Sequence, residues 1–238
     1  MASKKIYVSP SSQTENKYIV GDTNEAVQCR KIAVALVKAL ERCGFGAMTN
    51  ITGNMYDRTA ESNKWGADLH LPIHTNAFNQ KVQGTRIYCY DTKGEGYKAS
   101  KAIMAALKPI TPGTSDSINA RENLYEINNA NAPVAYIEVA FHDNEEEAAW
   151  IIANTEAIAE AICKGVCNYY GEQYVPAVEE PEPAPEQPTE SAPAEKLYRV
   201  FNAAGKQVGA YSVEANAFNE VKRQLQTGGE ARITLSEK

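Results

Sequence analysis

The run Ala67-Asp68-Leu69-His70-Leu71-Pro72-Ile73-His74-Thr75-Asn76-Ala77 constrains this chain more than any other stretch. Leu69, Leu71 and Ile73 alternate with His70, Pro72 and His74, the period-2 pattern of a strand with one apolar face. Pro72 has no N–H to give to a ladder and is uncomfortable in a central strand. The strand runs out into an imidazole and two hydrogen-bonding side chains, His74, Thr75 and Asn76. In an open α/β sheet, chemistry collects outside the carboxyl ends of strands. A lone histidine at such a place is more often a satisfied polar residue than a ligand, so the flanking chain has to decide.

That chain alternates strands with helices. Ile6 to Val8 reads as a first strand and Ser9 to Asn16 as a polar loop. A helix opens at Asp22-Thr23-Asn24-Glu25, with Asp22 or Thr23 as its N-cap and Glu25 in its first turn. Ile32, Leu36, Val37 and Leu40 form its apolar stripe, and Gly44 ends it. Phe45 to Met48 reads as a strand, Arg58 to Gly66 as a short helix, and Gly84 to Tyr90 as an alternating, aromatic strand. Tyr97 to Leu107 is helical up to Pro109, Pro133 to Phe141 is a buried strand, and Glu145 to Tyr170 is one long helix. The pattern predicts an α/β fold with a mainly parallel, doubly wound sheet and helices on both faces.

At 238 residues the chain is long enough for one good-sized domain and a smaller one. Residues 1–174 form the first. Residues 175–196 contain Pro176 to Pro193, rich in Pro, Glu and Ala, which buries too little apolar surface to fold and reads as a semi-rigid linker. Residues 197–238 read as a small ββαβ unit: strands at Leu197–Phe201 and Gln207–Tyr211, a turn at Ala203–Gly205, a helix from Val213 to Gln224 and a strand from Ala231 to Leu235. Net charge is −6, which argues against nucleic acid held by a basic patch. No apolar run reaches the length of a membrane span.

Five cysteines, Cys29, Cys43, Cys89, Cys163 and Cys167, make an odd number without any CxxC. Cys163 and Cys167 share a helix face, but a zinc–cysteine site calls for better spacing, and the expectation is core thiols in a reducing compartment.

A hydrolase built on a metal needs three protein ligands, an open position and a nearby carboxylate base. His74 offers an imidazole and Glu25 a carboxylate. Glu138 is the sharpest anomaly, since it stands in the apolar run Ala135-Tyr136-Ile137-Glu138-Val139-Ala140-Phe141, where an unpaired charge is costly. It is either paired with an arginine or is a base whose pKa burial has raised.

Taken together, Arg58, Ser62-Asn63, Ala67-Asp68, Pro72-Ile73-His74-Thr75-Asn76, Gly84-Thr85, and Pro133 through Glu138 with Phe141, Asp143 and Asn144 follow one another in a specific order and spacing. From Lys5 to about Tyr170 the chain resembles the zinc-dependent N-acetylmuramoyl-L-alanine amidases of the amidase-3 family. The resemblance implies a sheet with helices on both faces and one Zn²⁺ per domain. It implies that His74 and Glu25 are zinc ligands and that Glu138 is the base that deprotonates the attacking water and then protonates the leaving amine. Asn76 and Arg58 would contact substrate, which would be peptidoglycan.

One position departs from the family. Its first strand ends in a histidine ligand, and here the stretch is Ser9-Pro10-Ser11-Ser12-Gln13, with Ser12 at the histidine position within a residue. The replacement ligand is either Gln13, through its side-chain oxygen, or His142. His70 lies about 13 Å from His74 along an extended strand and cannot share its ion. The tail, through Tyr198-Arg199-Val200, Gly209-Ala210-Tyr211-Ser212 and Gly228-Gly229-Glu230-Ala231, resembles the peptidoglycan-binding sporulation-related repeat. An unrelated interaction module is the alternative for it.

The sequence therefore points to a cell-wall amidase joined to a small wall-binding module. Met-Ala-Ser-Lys-Lys has no apolar h-region behind it. The expectation is synthesis in the cytoplasm and action on the wall after release, as by a phage or prophage endolysin or by an autolysin. The alternative is a catalytically weak peptidoglycan-binding protein on an amidase scaffold.

Overall fold

The computed structural model describes residues 3–177, 196–202, 204, 206–211, 220–222, 225 and 231–237. The chain divides into two units, Met1–Val178 and Glu179–Lys238.

The first unit contains β1 (Lys5–Pro10), α1 (Glu25–Arg42), β2 (Gly46–Thr49), α2 (Met55–Trp65), β3 (Leu69–Asn76), β4 (Arg86–Cys89), α3 (Glu95–Leu107), β5 (Ser117–Ala120), α4 (Tyr125–Asn129), β6 (Tyr136–Phe141), α5 (Glu145–Ala153) and α6 (Thr155–Tyr170). Its six strands lie in the order β2-β1-β3-β6-β4-β5. Every pair is parallel except β4–β6. This is the expected mainly parallel sheet, with one antiparallel junction.

Alternation along the strands separates two faces. Ile6, Val8, Leu69, Leu71, Ile73, Ile87, Ile137 and Val139 are buried and share one apolar cluster with Ile32, Leu36 and Leu40 of α1, Ile103 and Leu107 of α3, and Ile158, Ile162 and Val166 of α6. The helices of this layer approach closely: a Cβ on Gly165 of α6 would come within 2.5 Å of Ile103 Cα, so only glycine fits there. The opposite face carries Tyr7, Ser9, His70, His74, Tyr136 and Glu138 and is covered by the short α2 and α4.

Pro72 does sit in a central strand. It pairs with Ser9 of β1, and the ladder to β6 skips over it, from an isolated bridge at His70 and Val134 to the pair Ile73 and Ile137. The ladder is therefore already open where the N–H is missing. A second irregularity follows, because His74 pairs with Glu138 but Asn76 pairs with Phe141, leaving one extra residue in β6. Such bulges re-aim side chains next to sites.

Local signals account for most of the ends. The N-cap of α1 is Asn24, which accepts from Val27 N at 3.1 Å, rather than Asp22 or Thr23. A capping box of Asn54 and Asp57 starts α2 three residues ahead of the expected start, and Gly66, at φ 70°, ends it in the left-handed region. The single helix expected from Glu145 to Tyr170 is two, broken at Asn154, whose φ of −121° and ψ of 28° leave the helical path. Its side chain donates to Trp150 O at 2.8 Å in place of the interrupted ladder. Neither β5 nor α4 has a periodic signal in the sequence, being only four and five residues long.

The second unit is an antiparallel sheet in the order β8-β7-β9, from β7 (Lys196–Asn202), β8 (Gln207–Tyr211) and β9 (Ala231–Glu237). Val200 is buried in it. Residues 220–222 are helical, inside the span expected for a helix. The rest of that span except residue 225, and residues 178–195 of the proposed linker, lie outside the described residues, while Lys196, placed in the linker by the sequence, is the first residue of β7.

Candidate active site

Three elements converge at the carboxyl end of β3. The first residue of α1, Glu25, is buried against the strand end, and its Oε1 lies 2.7 Å from His74 Nδ1. Asn16 Nδ2 donates to the other oxygen of Glu25 at 2.6 Å. Burial pushes the Glu25 carboxyl up, but the bonds from His74, Asn16 and Ser11 outweigh it and hold the pKa below the ordinary value. Gln13 brings its amide nitrogen to 3.4 Å from His74 Nδ1, while its oxygen accepts from Asn16 at 3.0 Å.

His74 is 8 % exposed, and its ring stacks on Tyr136 at 4.5 Å between centroids. Burial disfavours its charge, but Glu126, Glu25 and Glu138 raise its pKa to about 9. Its Nδ1 faces Glu25, and its Nε2 lies 3.9 Å from Glu126 Oε2.

Glu138 is the β6 neighbour of His74 in the parallel ladder, so both side chains leave the same face of the sheet. Its Oε2 is shut off from solvent without a hydrogen-bond partner. Burial pushes its pKa up to about 7, with His74 and Arg121 opposing and Glu25 reinforcing. The arginine opposite it in β4, Arg86, turns away: its guanidinium donates to the carbonyls of Thr85 and Ser115 and to Ser115 Oγ. Of the two readings of this carboxylate, the arginine-paired one has no ion pair among the described residues to support it.

Beneath this site runs a buried polar chain that sequence reasoning missed. Glu126 of α4 is 3 % exposed, with Oε1 3.2 Å from His70 Nε2 and in a short hydrogen bond from Ser9 Oγ. His70 Nδ1 lies 3.0 Å from Ser62 Oγ, and its ring stacks on Tyr7. Arg58 is fully buried, donating from Nε to Ser9 Oγ at 3.1 Å and to the carbonyls of Asn50 and Gly53. Burial opposes the ionised form of Glu126, but His70 and His74 outweigh it and hold its pKa at about 2. The only clue in the sequence is an acidic residue between Leu124 and Ile127, too short a segment to show a period.

A cleft of about 430 Å³ opens over this face. Ser11, Ser12, Gln13, Tyr56, Arg58 and His74 line it, together with Tyr125, Glu126 and Tyr136. Of the other expected site residues, Asn76 ends β3 with its Oδ1 accepting from Ala77 N at 2.8 Å. His142 stacks on Tyr18 and turns Nδ1 to Thr75, 3.0 Å from both Oγ1 and the carbonyl oxygen. Among the described residues no third His, Cys, Asp or Glu has its ligand atom within 4.8 Å of those of both Glu25 and His74.

A carboxylate and an imidazole meet at one strand end, hydrogen-bonded at 2.7 Å and so closer than the about 3.3 Å that separates two ligands of one zinc ion; an amide stands beside them, and an unpartnered carboxylate oxygen lies on the next strand. The set fits a zinc site with two strong ligands and one weak one.

Residues 11–168 match the family model described as N-acetylmuramoyl-L-alanine amidase. The germination-specific N-acetylmuramoyl-L-alanine amidase of Bacillus subtilis (strain 168) is 30 % identical over 110 residues, which is 45 % of this chain and 46 % of that protein. The match thus spans less than half of that curated relative. Among solved structures, N-acetylmuramoyl-L-alanine amidase AmiC2 of Nostoc punctiforme superposes with a TM-score of 0.64 at 16 % identity, covering 71 % of this chain and 99 % of that one. The catalytic domain of the CD27L endolysin targeting Clostridia difficile gives 0.59 at 22 %, covering 69 % and 97 %.

Proposed function

This chain belongs to the amidase-3 family of N-acetylmuramoyl-L-alanine amidases, and from that premise we propose that it hydrolyses the amide between N-acetylmuramic acid and the L-alanine of the peptidoglycan stem peptide. The observation that carries the reading is the convergence of Glu25, His74 and Glu138 at one strand end beside a cleft, with one Glu138 oxygen unpartnered.

Glu25, His74 and Gln13 would hold one Zn²⁺. Bound there, the ion would supply Lewis-acid polarisation of the scissile carbonyl. Asn16 and Ser11 keep the Glu25 carboxylate ionised and oriented. Tyr136 fixes the plane of the His74 ring by stacking on it, and that ring would be neutral when it holds the ion. Glu138, with a pKa near 7, takes the proton from the attacking water and returns it to the nitrogen of the leaving L-alanine. A carboxylate of ordinary pKa would be a weaker base towards that water.

The test is release of stem peptides with free L-alanine amino groups from purified peptidoglycan, alongside metal content. Glu25→Ala and His74→Ala should each abolish both zinc retention at this site and release. Full release by either variant after chelation would exclude the reading.

The proposal extends to a lytic setting, that of an endolysin or autolysin acting after release, and to wall binding by the second unit through its resemblance to the sporulation-related repeat. Added protein should lyse susceptible cells from outside, and a chain ending at residue 178 should sediment less with insoluble peptidoglycan than the full chain. A second reading, a weakly catalytic wall-binding protein, is favoured by one observation: Ser11-Ser12-Gln13 stands where the family has a histidine ligand, and Glu25 and His74 close directly on each other. Stoichiometric sedimentation with peptidoglycan and no peptide release at saturating zinc would select it.

A further inference from the structure

At the far end of α1 from Glu25, three thiols from two elements meet. Cys43 caps the C-terminus of α1, and Cys163 and Cys167 lie one turn apart on α6. The three sulfurs lie within 4.8 Å of one another, and Cys43 Sγ is 3.6 Å from Cys163 Sγ. All three are free thiols. We propose that Cys43, Cys163 and Cys167 form a binding site for a thiophilic d¹⁰ metal ion of the Zn²⁺ class, separate from the amidase site.

The first argument is metrical. Zinc bound to sulfur at 2.3 Å in a tetrahedron sets neighbouring sulfurs about 3.8 Å apart. The separation of Cys43 and Cys163 matches that edge, and all three pairs fall within reach of one ion with modest side-chain rotation. A disulfide between two of them would leave the third sulfur unpaired.

The second argument is the surroundings. The chain beyond α6 folds back so that Val175 N donates to Cys43 Sγ at 3.3 Å. That return is itself held: Arg42 Nε donates to Val175 O at 2.9 Å, and Glu160 receives both Arg42 and Tyr174. Cys163 and Cys167 are fully buried while Cys43 is partly exposed, so an ion would enter past Cys43. Burial and mutual repulsion push the Cys163 and Cys167 thiols well up, and among the described residues no ion pair offsets this; a bound divalent ion inverts that balance.

Binding is a proton exchange, not a redox step. One divalent ion replaces three thiol protons, which leave to solvent, and three S–M bonds form, leaving a fourth position for water. The bound ion would tie the C-terminus of α1, the middle of α6 and residues 172–175 together. It lies about 27 Å along α1 from Glu25, so neither site touches the other's ligands.

The test uses the full chain, reduced, stripped with chelator and titrated with Co²⁺. Thiolate-to-cobalt charge transfer in the near ultraviolet reports sulfur ligation directly, and the amidase site, which has no sulfur, cannot produce it. The expected result is saturation at one equivalent, displacement by Zn²⁺, and proton release in step with the signal. Cys43→Ser, Cys163→Ser and Cys167→Ser should each lose the band, Cys89→Ser should keep it, and Glu25→Ala with His74→Ala should keep it. Absence of the band in the reduced wild-type chain would overturn the proposal without recourse to any variant. So would a band that survives Cys163→Ser, or a Cys43–Cys163 disulfide whose reduced form takes up no metal.

Discussion

On one face of the central sheet, Ile6, Val8, Leu69, Leu71, Ile137 and Val139 pack in one hydrophobic cluster with side chains of α1, α3 and α6. On the other, their neighbours Tyr7, Ser9, His70, His74, Tyr136 and Glu138 meet α2 and α4 through hydrogen bonds, stacked rings and ion pairs. Both faces come from alternate residues of the same strands, and most of those residues are equally buried. The apolar face is more tolerant, because hydrophobic side chains of similar volume can replace one another there. The polar face is not, because each group in it is costly to bury alone and is held only by its particular partner. Stability is concentrated on one side, chemistry on the other. The chain can therefore keep a carboxylate with one orphaned oxygen in the middle of its sheet.

The sharpest way to separate the two faces is Glu138→Gln. It should leave the thermal midpoint at or above that of the wild type, since a buried charge is removed, while stem-peptide release falls by about 10²–10⁴-fold, the usual worth of a general acid–base. Wild-type turnover in this variant would take Glu138 out of the chemistry and dissolve the contrast.

Leu71→Ala, on the same sheet but the apolar face, should do the reverse. Leu71 is fully buried, and truncation should cost about 2–5 kcal/mol in urea unfolding. That loss should not depend on pH between 3 and 7, and zinc affinity should hardly move.

Glu126→Gln should cost less, about 1–3 kcal/mol, by breaking one set of buried bonds while keeping the shape. Its signature is pH. The Glu126 pKa is held at about 2, below its ordinary 4.5, so its contribution is fully present above pH 4.5 and is lost as pH falls towards 2. The gap in unfolding free energy between wild type and Glu126→Gln should therefore close across that window. A gap that stays constant down to pH 2 would mean that Glu126 acts by packing rather than by charge.

The smallest effects concern the third ligand. Gln13→His should tighten zinc by about tenfold or more, because an imidazole suits the ion better than an amide oxygen. Gln13→Ala should weaken it, and His142→Ala should leave it unchanged, because His142 is turned to Thr75. The opposite ranking, read by competitive titration with a zinc indicator, would move the third ligand to His142.

Much of this molecule was legible in the chain itself. The period-2 run at Leu69–Ile73 and the continuous apolar run at Ala135–Phe141 declared strands because burial of extended backbone is a local property, and the Glu138 anomaly was visible because a charge interrupts that apolar run. The amidase-3 resemblance rested on the same kind of signal, order and spacing along one dimension. Helix ends came out less well: Asn154 breaks what reads as a single apolar helix, and periodicity is blind to a side chain that caps one helix while starting another.

What the chain could not declare are the meetings between distant residues. Glu126 joins His70 and His74 from 56 and 52 positions away, on a five-residue helix with no period of its own. Cys43 reaches Cys163 across 120 positions, so the cysteine spacing that reads as unsuited to a metal describes the chain and not the site. Local patterns follow from backbone geometry, which each residue carries with it. Ligand sets and buried networks follow from which ends of which elements the packed sheet brings together, and only the tertiary structure decides that.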